Sequence, residues 1–144
     1  MAVPVYADTS FLVSLYVQDA NSARAVSEAP RLLPAFLTPL IEHELRNAIR
    51  LCVFRRQITT MQREKALHDL ESDMAAGVLH IAPLDWPKAL KYAEALGRRH
   101  TEASGARGMD ILHVASALAL RAGRFVTFDE RQREFARLAG LDTR

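Results

Sequence analysis

Short apolar runs alternate with longer amphipathic segments along the chain. Val3 to Ala7 is a short run of β-prone residues, and the apolar residues from Phe11 to Tyr16 recur at helical spacing. A strand, a tight turn and a helix are therefore predicted at the start. The same alternation predicts further strands at 35–38, 78–82 and 125–128, and helices at about 21–29, 39–52, 60–76, 85–100, 110–122 and 129–139.

Short strands separated by helices are typical of a parallel sheet, because parallel neighbours need crossover connections. We therefore expect an α/β fold, one domain over residues 1–144, with a short central parallel sheet flanked by helices on both faces. In such sheets the ligand site lies beyond the carboxyl ends of the strands. Asp8 and Asp129 both fall at that end of their predicted strands, so we expect their side chains to converge.

The predicted helix at 39–52 carries an acidic residue among apolar ones. Ile41, Leu45 and Ile49 belong to its apolar stripe, and Glu44 lies on the same stripe. An ionisable group in that position needs a partner or a chemical task. A structural salt bridge with an arginine is the ordinary alternative.

Composition narrows the class of protein. The 144 residues are 49% hydrophobic and 25% charged, the profile of a globular domain. Cys52 is the single cysteine, which excludes an intrachain disulfide and a cysteine-rich metal site. The apolar stretch at 111–120 is far shorter than the ~20 residues of a membrane span, and the first residues lack the basic start of a secretory signal. We expect a cytoplasmic protein without a membrane segment.

Candidate chemistry rests on four acids, Asp8, Glu44, Asp110 and Asp129. Carboxylates gathered at one sheet edge raise one another's pKa unless cations compensate. Oxygen ligands without a Cys or His cluster favour Mg²⁺ or Mn²⁺, and the expected chemistry is phosphodiester hydrolysis. Each acid has an ordinary alternative, since Asp8, Asp110 and Asp129 can also be helix N-caps.

The sequence around all four acids resembles the PIN-domain nucleases, particularly the VapC-like toxins of type II toxin–antitoxin pairs. The matching segments occur in family order and span nearly the whole chain. They are Val-Tyr-Ala-Asp8-Thr9-Ser10, Glu44-Leu-Arg-Asn47-Ala48, Asp110-Ile-Leu-His113-Val-Ala-Ser-Ala-Leu118 and Phe125-Val-Thr127-Phe-Asp129. No single segment is specific, so their order and spacing carry the resemblance. The chain stops at Arg144, which leaves open whether a last edge strand is present.

The resemblance implies a PIN-like three-layer α/β/α sandwich that cleaves single-stranded or loop regions of RNA with one or two Mg²⁺ or Mn²⁺ ions. On that basis Asp8, Asp110 and Asp129 ligate metal, and Glu44 ligates metal or orients the attacking water. Residues expected to position carboxylates or waters by hydrogen bonding are Thr9, Ser10, Asn47 and Thr127. For His113 we favour a packed helix residue over a site residue.

Arginine accounts for 16 of the 19 basic residues, which suits phosphate contacts, although genomic composition also explains it. Solvated arginines are the ordinary alternative to RNA contacts. The candidates for RNA contact are Arg46, Arg50, Arg98, Arg99 and Arg107.

The resemblance also implies a cognate antitoxin as partner and a homodimer. Two alternatives stay open: a housekeeping PIN nuclease in RNA processing, and a catalytically silent binding module. An aspartyl phosphatase is disfavoured, because Asp8-Thr9-Ser10 lacks the second aspartate of such sites. The sequence does not identify the RNA, the cleavage position or the antitoxin.

Overall fold

Strands and helices alternate through the computed structural model, which describes residues 3–144. Within that range the elements, in chain order, are β1 (Tyr6–Ala7), α1 (Thr9–Tyr16), α2 (Ser22–Leu32), β2 (Ala35–Leu37), α3 (Pro39–Phe54), α4 (Thr60–Ala76), β3 (Leu79–Ile81), α5 (Trp86–Ser104), α6 (Gly108–Ala119), β4 (Phe125–Val126) and α7 (Glu130–Leu138). The predicted alternation is confirmed, and the strands are shorter than the apolar runs that contain them.

The strands form two parallel pairs that lie side by side. β1 pairs with β4, and β2 pairs with β3. A parallel bridge between Val5 and Ala35 joins β1 to β2, with the Phe36 N–H donating to the Val5 carbonyl at 2.8 Å. The strand order is therefore β4–β1–β2–β3, and helices cover the sheet as the predicted α/β/α sandwich requires.

Apolar side chains of the strands fill the core. Tyr6 and Phe125 are fully buried neighbours on β1 and β4, with their rings stacked at 5.5 Å between centroids. Leu37 and Leu79 occupy the other pair and are 1% exposed. Because adjacent parallel strands end at one edge, this core holds the residues after β1 and those after β4 at a common edge of the sheet.

The helix boundaries differ from the prediction between α5 and α6. The predicted loop at 101–108 is partly wrong, because α5 continues to Ser104 and ends where Gly105 adopts a left-handed φ of 67°. The N-cap of α6 is Arg107, without a side-chain cap bond, so Asp110 lies in the first turn and is not an N-cap. Its cap alternative is therefore wrong, and its carboxylate is available for another role.

The segment after α7 runs along the outer edge of β4. The Phe125 N–H donates to the Asp142 carbonyl at 2.8 Å, and 139–144 contain no strand in the part of the chain that the structure describes. Where a further edge strand would pair with β4, the described residues therefore form this one backbone hydrogen bond and no strand. No helix within 3–144 is long and apolar enough to cross a membrane.

Candidate active site

Asp8 lies directly beyond β1 and is the N-cap of α1. Its side chain is 8% exposed, and burial raises its pKa. Oδ1 accepts from the Ser10 hydroxyl at 2.6 Å and from the Phe11 N–H at 3.3 Å, and Oδ2 accepts from the Thr127 hydroxyl at 2.5 Å. These bonds hold the carboxylate in one orientation and partly offset the cost of burying its charge.

Thr127 connects Asp8 with Asp129. Its hydroxyl donates to Asp8 and accepts from the Asp129 N–H at 3.0 Å. The Ser10 hydroxyl lies 3.3 Å from that of Thr127 and accepts from the Phe128 N–H at 3.1 Å. Asp8 and Asp129 therefore lie at the same edge of the sheet, with two hydroxyl residues between the ends of β1 and β4. The convergence of their carboxylates stays a prediction.

Glu44 is held from two sides on α3. Its Oε1 accepts from the Thr9 hydroxyl at 3.1 Å and from Nε2 of His113, and the hydrogen bond with His113 lowers the Glu44 pKa. Nδ1 of His113 lies 2.7 Å from the Tyr6 hydroxyl. Since an ionised Glu44 accepts only, Nε2 of His113 is the donor in this hydrogen bond. The Glu44 side chain is only 29% exposed, yet no arginine pairs with it within 3–144.

The sequence left open whether His113 is a packed helix residue or lies close to the site, and the structure shows both. It is buried in α6 and also contacts Glu44. Asn47 lines a shallow pocket with Thr9 and Glu44, but it makes no hydrogen bond to Glu44 among the described residues. The orienting role expected of Asn47 stays a prediction. In the structure Thr9 and His113 bond to Glu44, and Tyr6 contacts His113.

Asp110 and Asp129 line one open cavity of about 370 Å³. The Asp110 side chain is 42% exposed, with its Oδ2 at 3.9 Å from Nε of Arg107. Asp129 is the N-cap of α7, where Oδ1 accepts from the N–H groups of Arg131 and Gln132 at 2.9 and 3.3 Å. The Gln132 amide donates to the Asp110 carbonyl at 3.0 Å and so ties α6 to α7.

The donor set has the chemistry that a hard divalent cation prefers. The carboxylate of Asp110 and Oδ2 of Asp129 accept no hydrogen bond among residues 3–144, so their oxygens are available. No three Asp, Glu, His or Cys side chains of the described chain group closely enough to hold an ion together. Mg²⁺ is commonly held by one or two carboxylates with waters and substrate phosphates, so the pair Asp110 and Asp129 fits it.

The five arginines expected to contact RNA fall into different settings. Arg46 is 22% exposed and pairs with Glu42 and Glu71, and Arg98 pairs with Glu94. Arg107 lines the Asp110 cavity, and Arg50 and Arg99 are exposed.

Two residues that contact the site, Tyr6 and Gln132, were not among the expected site residues, although Gln132 was considered as a capping-box partner of Asp129. Tyr6 contacts His113 through its hydroxyl, and Gln132 bonds to the Asp110 carbonyl. Gln132 lies three residues after Asp129, and that spacing was the available signal. Nothing in the local sequence marks Tyr6, because its partner is distant along the chain.

Comparisons with known proteins agree with this architecture. A family model described as the PIN domain matches residues 5–139. The crystal structure of VapC20 from Mycobacterium tuberculosis, described as a sarcin-ricin loop cleaving toxin, matches 95% of this chain and 95% of its own, with a TM-score of 0.65 and 17% sequence identity. Among curated proteins no sequence matches. Because the family model covers nearly the whole chain, the protein belongs to the PIN domain family.

Proposed function

We propose that the protein is a metal-dependent endoribonuclease that uses Asp8, Glu44, Asp110 and Asp129. The observation that carries the proposal is the placement of Asp8 and Asp129 on either side of Thr127, beyond two paired parallel strands. Ligands of open parallel sheets bind at that edge. Membership of the PIN domain family and the VapC20-like fold support a nuclease.

Asp110 and Asp129 are the residues we assign first to metal binding, and we assign Asp8 a supporting part from the same edge of the sheet. A bound Mg²⁺ or Mn²⁺ ion supplies a water of lowered pKa and screens the charge of the phosphate. Burial raises the pKa of Asp8, and a nearby cation would offset this effect because it favours the charged form of the carboxylate. Hydrogen bonds from Ser10 and Thr127 hold the two carboxylate oxygens in place.

Glu44 is the residue we assign to orienting the attacking water. Its Oε1 is occupied by Thr9 and His113, which leaves Oε2 to accept from a water. The hydrogen bond from His113 lowers the Glu44 pKa and so keeps the carboxylate ionised. An ionised carboxylate at fixed orientation can accept a proton from water as a general base.

The substrate we propose is a single-stranded or loop region of RNA. VapC20 is described as a sarcin-ricin loop cleaving toxin, and the resemblance to the PIN-domain nucleases implies a single-stranded or loop RNA substrate. The Asp110 cavity is open at one side and carries Arg107 on its wall, a suitable partner for a phosphate. We also propose that the chain is the toxin of a toxin–antitoxin pair in the cytoplasm, with a protein antitoxin and a homodimeric state.

The test is cleavage of total cellular RNA by wild type and Asp8→Asn, each with Mg²⁺, Mn²⁺ or EDTA. We expect metal-dependent cleavage by wild type only. Asp85→Asn is the matched control, because Asp85 is the N-cap of α5 and lies outside the site. Equal cleavage by wild type and Asp8→Asn would refute the assigned site. RNA left intact by every sample would favour a catalytically silent module.

A further inference from the structure

A second cavity, of about 240 Å³, lies between α2, the end of β4 and the segment after α7. Four arginines line it, and Glu28 is the acidic residue among the lining side chains. We call it the arginine pocket, defined by Arg24, Arg31, Arg133 and Arg144. None of these residues was among the expected RNA contacts.

The charges of the arginine pocket are incompletely neutralised. Glu28 is shared between Arg24 at 3.5 Å and Arg31 at 4.0 Å, both longer than a hydrogen bond. Arg133 and Arg144 pair with Glu130 and Asp142, which do not line the pocket. Four guanidinium groups thus meet three side-chain carboxylates, only one of them in the wall. Each guanidinium carries five N–H donors, so many donors stay available to an anion.

Two of the arginines are already held in place. The guanidinium of Arg24 lies 5.3 Å from the centroid of the Phe128 ring. Nη2 of Arg133 donates to the Thr127 carbonyl at 2.9 Å, and its side chain is 28% exposed. Ordering these side chains therefore costs little further entropy when an anion binds. A pocket with pre-positioned donors binds a phosphate oxygen better than solvated arginines do.

Thr127 places the arginine pocket next to the candidate active site. Its carbonyl accepts from Arg133, and its hydroxyl donates to Asp8 Oδ2 at 2.5 Å. A phosphate in the pocket would therefore bind on the other side of the residue that orients Asp8. Single-stranded RNA carries a phosphate at every nucleotide, so one strand can present phosphates to both places.

We propose that the arginine pocket binds a backbone phosphate of single-stranded RNA, outside the cleaved bond, an inference that rests on the proposed function. The site holds the strand and takes no part in the chemistry. Its contribution is electrostatic and is independent of base sequence.

The test is binding of a short single-stranded RNA in EDTA, where no cleavage occurs, over a series of salt concentrations. The variant is Arg24→Gln with Arg31→Gln, both exposed on α2. We expect a Kd about tenfold higher, and a slope of log K against log salt smaller by roughly 0.7 for each phosphate that the variant no longer binds. Arg24→Lys with Arg31→Lys should fall between wild type and the Gln variant.

The control is Arg63→Gln with Arg137→Gln, which removes equal charge from side chains that do not line the pocket, again from arginines paired with nearby acids. A Kd for the pocket variant equal to that of the control would overturn the proposal. Inorganic phosphate is the second probe: binding to wild type as tight as that of RNA would assign the pocket to free phosphate instead. Thermal unfolding checks that each variant is folded.

The two proposals fail in different ways. RNA that binds wild type through the arginine pocket but is left uncut in Mg²⁺ would refute the nuclease and leave the pocket standing. RNA that is cut normally while the pocket variant binds it like the control would refute the pocket alone.

Discussion

The candidate site has two halves, Asp8 with Glu44 and Asp110 with Asp129. They differ in how many hydrogen bonds their carboxylates accept from the protein. Asp8 and Glu44 accept hydrogen bonds from hydroxyl groups, a backbone N–H and a histidine, and Asp8 is almost fully buried. Asp110 and Asp129 line an open cavity and keep oxygens without a partner among the described residues. The protein itself orients the carboxylates of the first half, whereas those of the second half keep oxygens available on an open wall.

From this difference we expect Asp8 and Glu44 to act through their fixed orientation, and Asp110 and Asp129 to act through binding of a cation. Groups fixed by several hydrogen bonds keep one geometry through a reaction, which favours a role in the rate. Groups with available oxygens on an open wall favour a role in the affinity for a cation. Substitutions in the two halves should therefore change different kinetic quantities.

The largest effect is expected for Glu44→Gln. The amide cannot accept a proton from water, so the cleavage rate should fall by about 10²–10⁴-fold at saturating metal. Raising Mg²⁺ should not restore it. The measurement is single-turnover cleavage of an RNA substrate against metal concentration. Recovery of the rate at high Mg²⁺ would place Glu44 with the metal-binding half instead.

A smaller effect, of another kind, is expected for Asp110→Asn. Removal of one carboxylate from the open pair should weaken the apparent affinity for Mg²⁺ by roughly 10–100-fold, while much of the rate returns at high metal. Metal titration by calorimetry gives a readout that is independent of cleavage. Unchanged metal affinity combined with a reduced rate would contradict the assignment of Asp110 to cation binding.

The pH dependence of stability should separate Asp8 from the rest. Burial raises its folded pKa above the ordinary value of 3.8, so its contribution is favourable below pH 3.8 and disappears as pH rises through the folded pKa. In EDTA, the Tm of wild type should therefore decline relative to Asp8→Asn as pH rises from about 4 toward neutrality. Added Mg²⁺ should stabilise wild type more than the variant. Parallel Tm curves in EDTA would contradict a buried charge at this position.

The smallest effect is expected on the free energy of unfolding when the helix cap at Asp129 is removed. Asn retains an oxygen that can accept from the Arg131 and Gln132 N–H groups, whereas Ala does not. The free energy of unfolding of Asp129→Ala should therefore be about 1 kcal/mol lower than that of Asp129→Asn, while both variants lack the carboxylate. Denaturant unfolding of the two variants measures this difference. A gap near zero would show that the cap bonds contribute nothing.

Much of the fold and part of the site could be predicted from local patterns. The strand ends before Asp8 and Asp129, and the acid on the apolar face of α3, are visible because period and polarity are local properties of the chain. The family resemblance supplied the order of the acids, and the family match confirms the family. The end of α5 was misplaced because 101–104 contains no strong helix breaker before Gly105.

The contacts that organise the site lie beyond local patterns. Tyr6 and His113 are separated by 107 positions, and His113 and Glu44 by 69, so their contact depends on tertiary packing. The arginine pocket draws on α2, α7 and the segment after it, and no spacing along the chain brings those together. The expected arginines were selected by their closeness in sequence to the acids, which identifies Arg107 beside Asp110 but not the arginines that the fold brings together.

Thr127 has a consequence for how mutations would combine. Its hydroxyl and its carbonyl serve different neighbours, Asp8 and Arg133, through a single backbone position. Effects of substitutions at residues that share a partner are not additive. A double-mutant cycle between Asp8 and Arg133 should therefore show a non-zero interaction energy although the two side chains do not bond to each other. Thr127→Val removes the hydroxyl and keeps the carbonyl. The same cycle in this variant would show how much of the interaction energy depends on the hydroxyl.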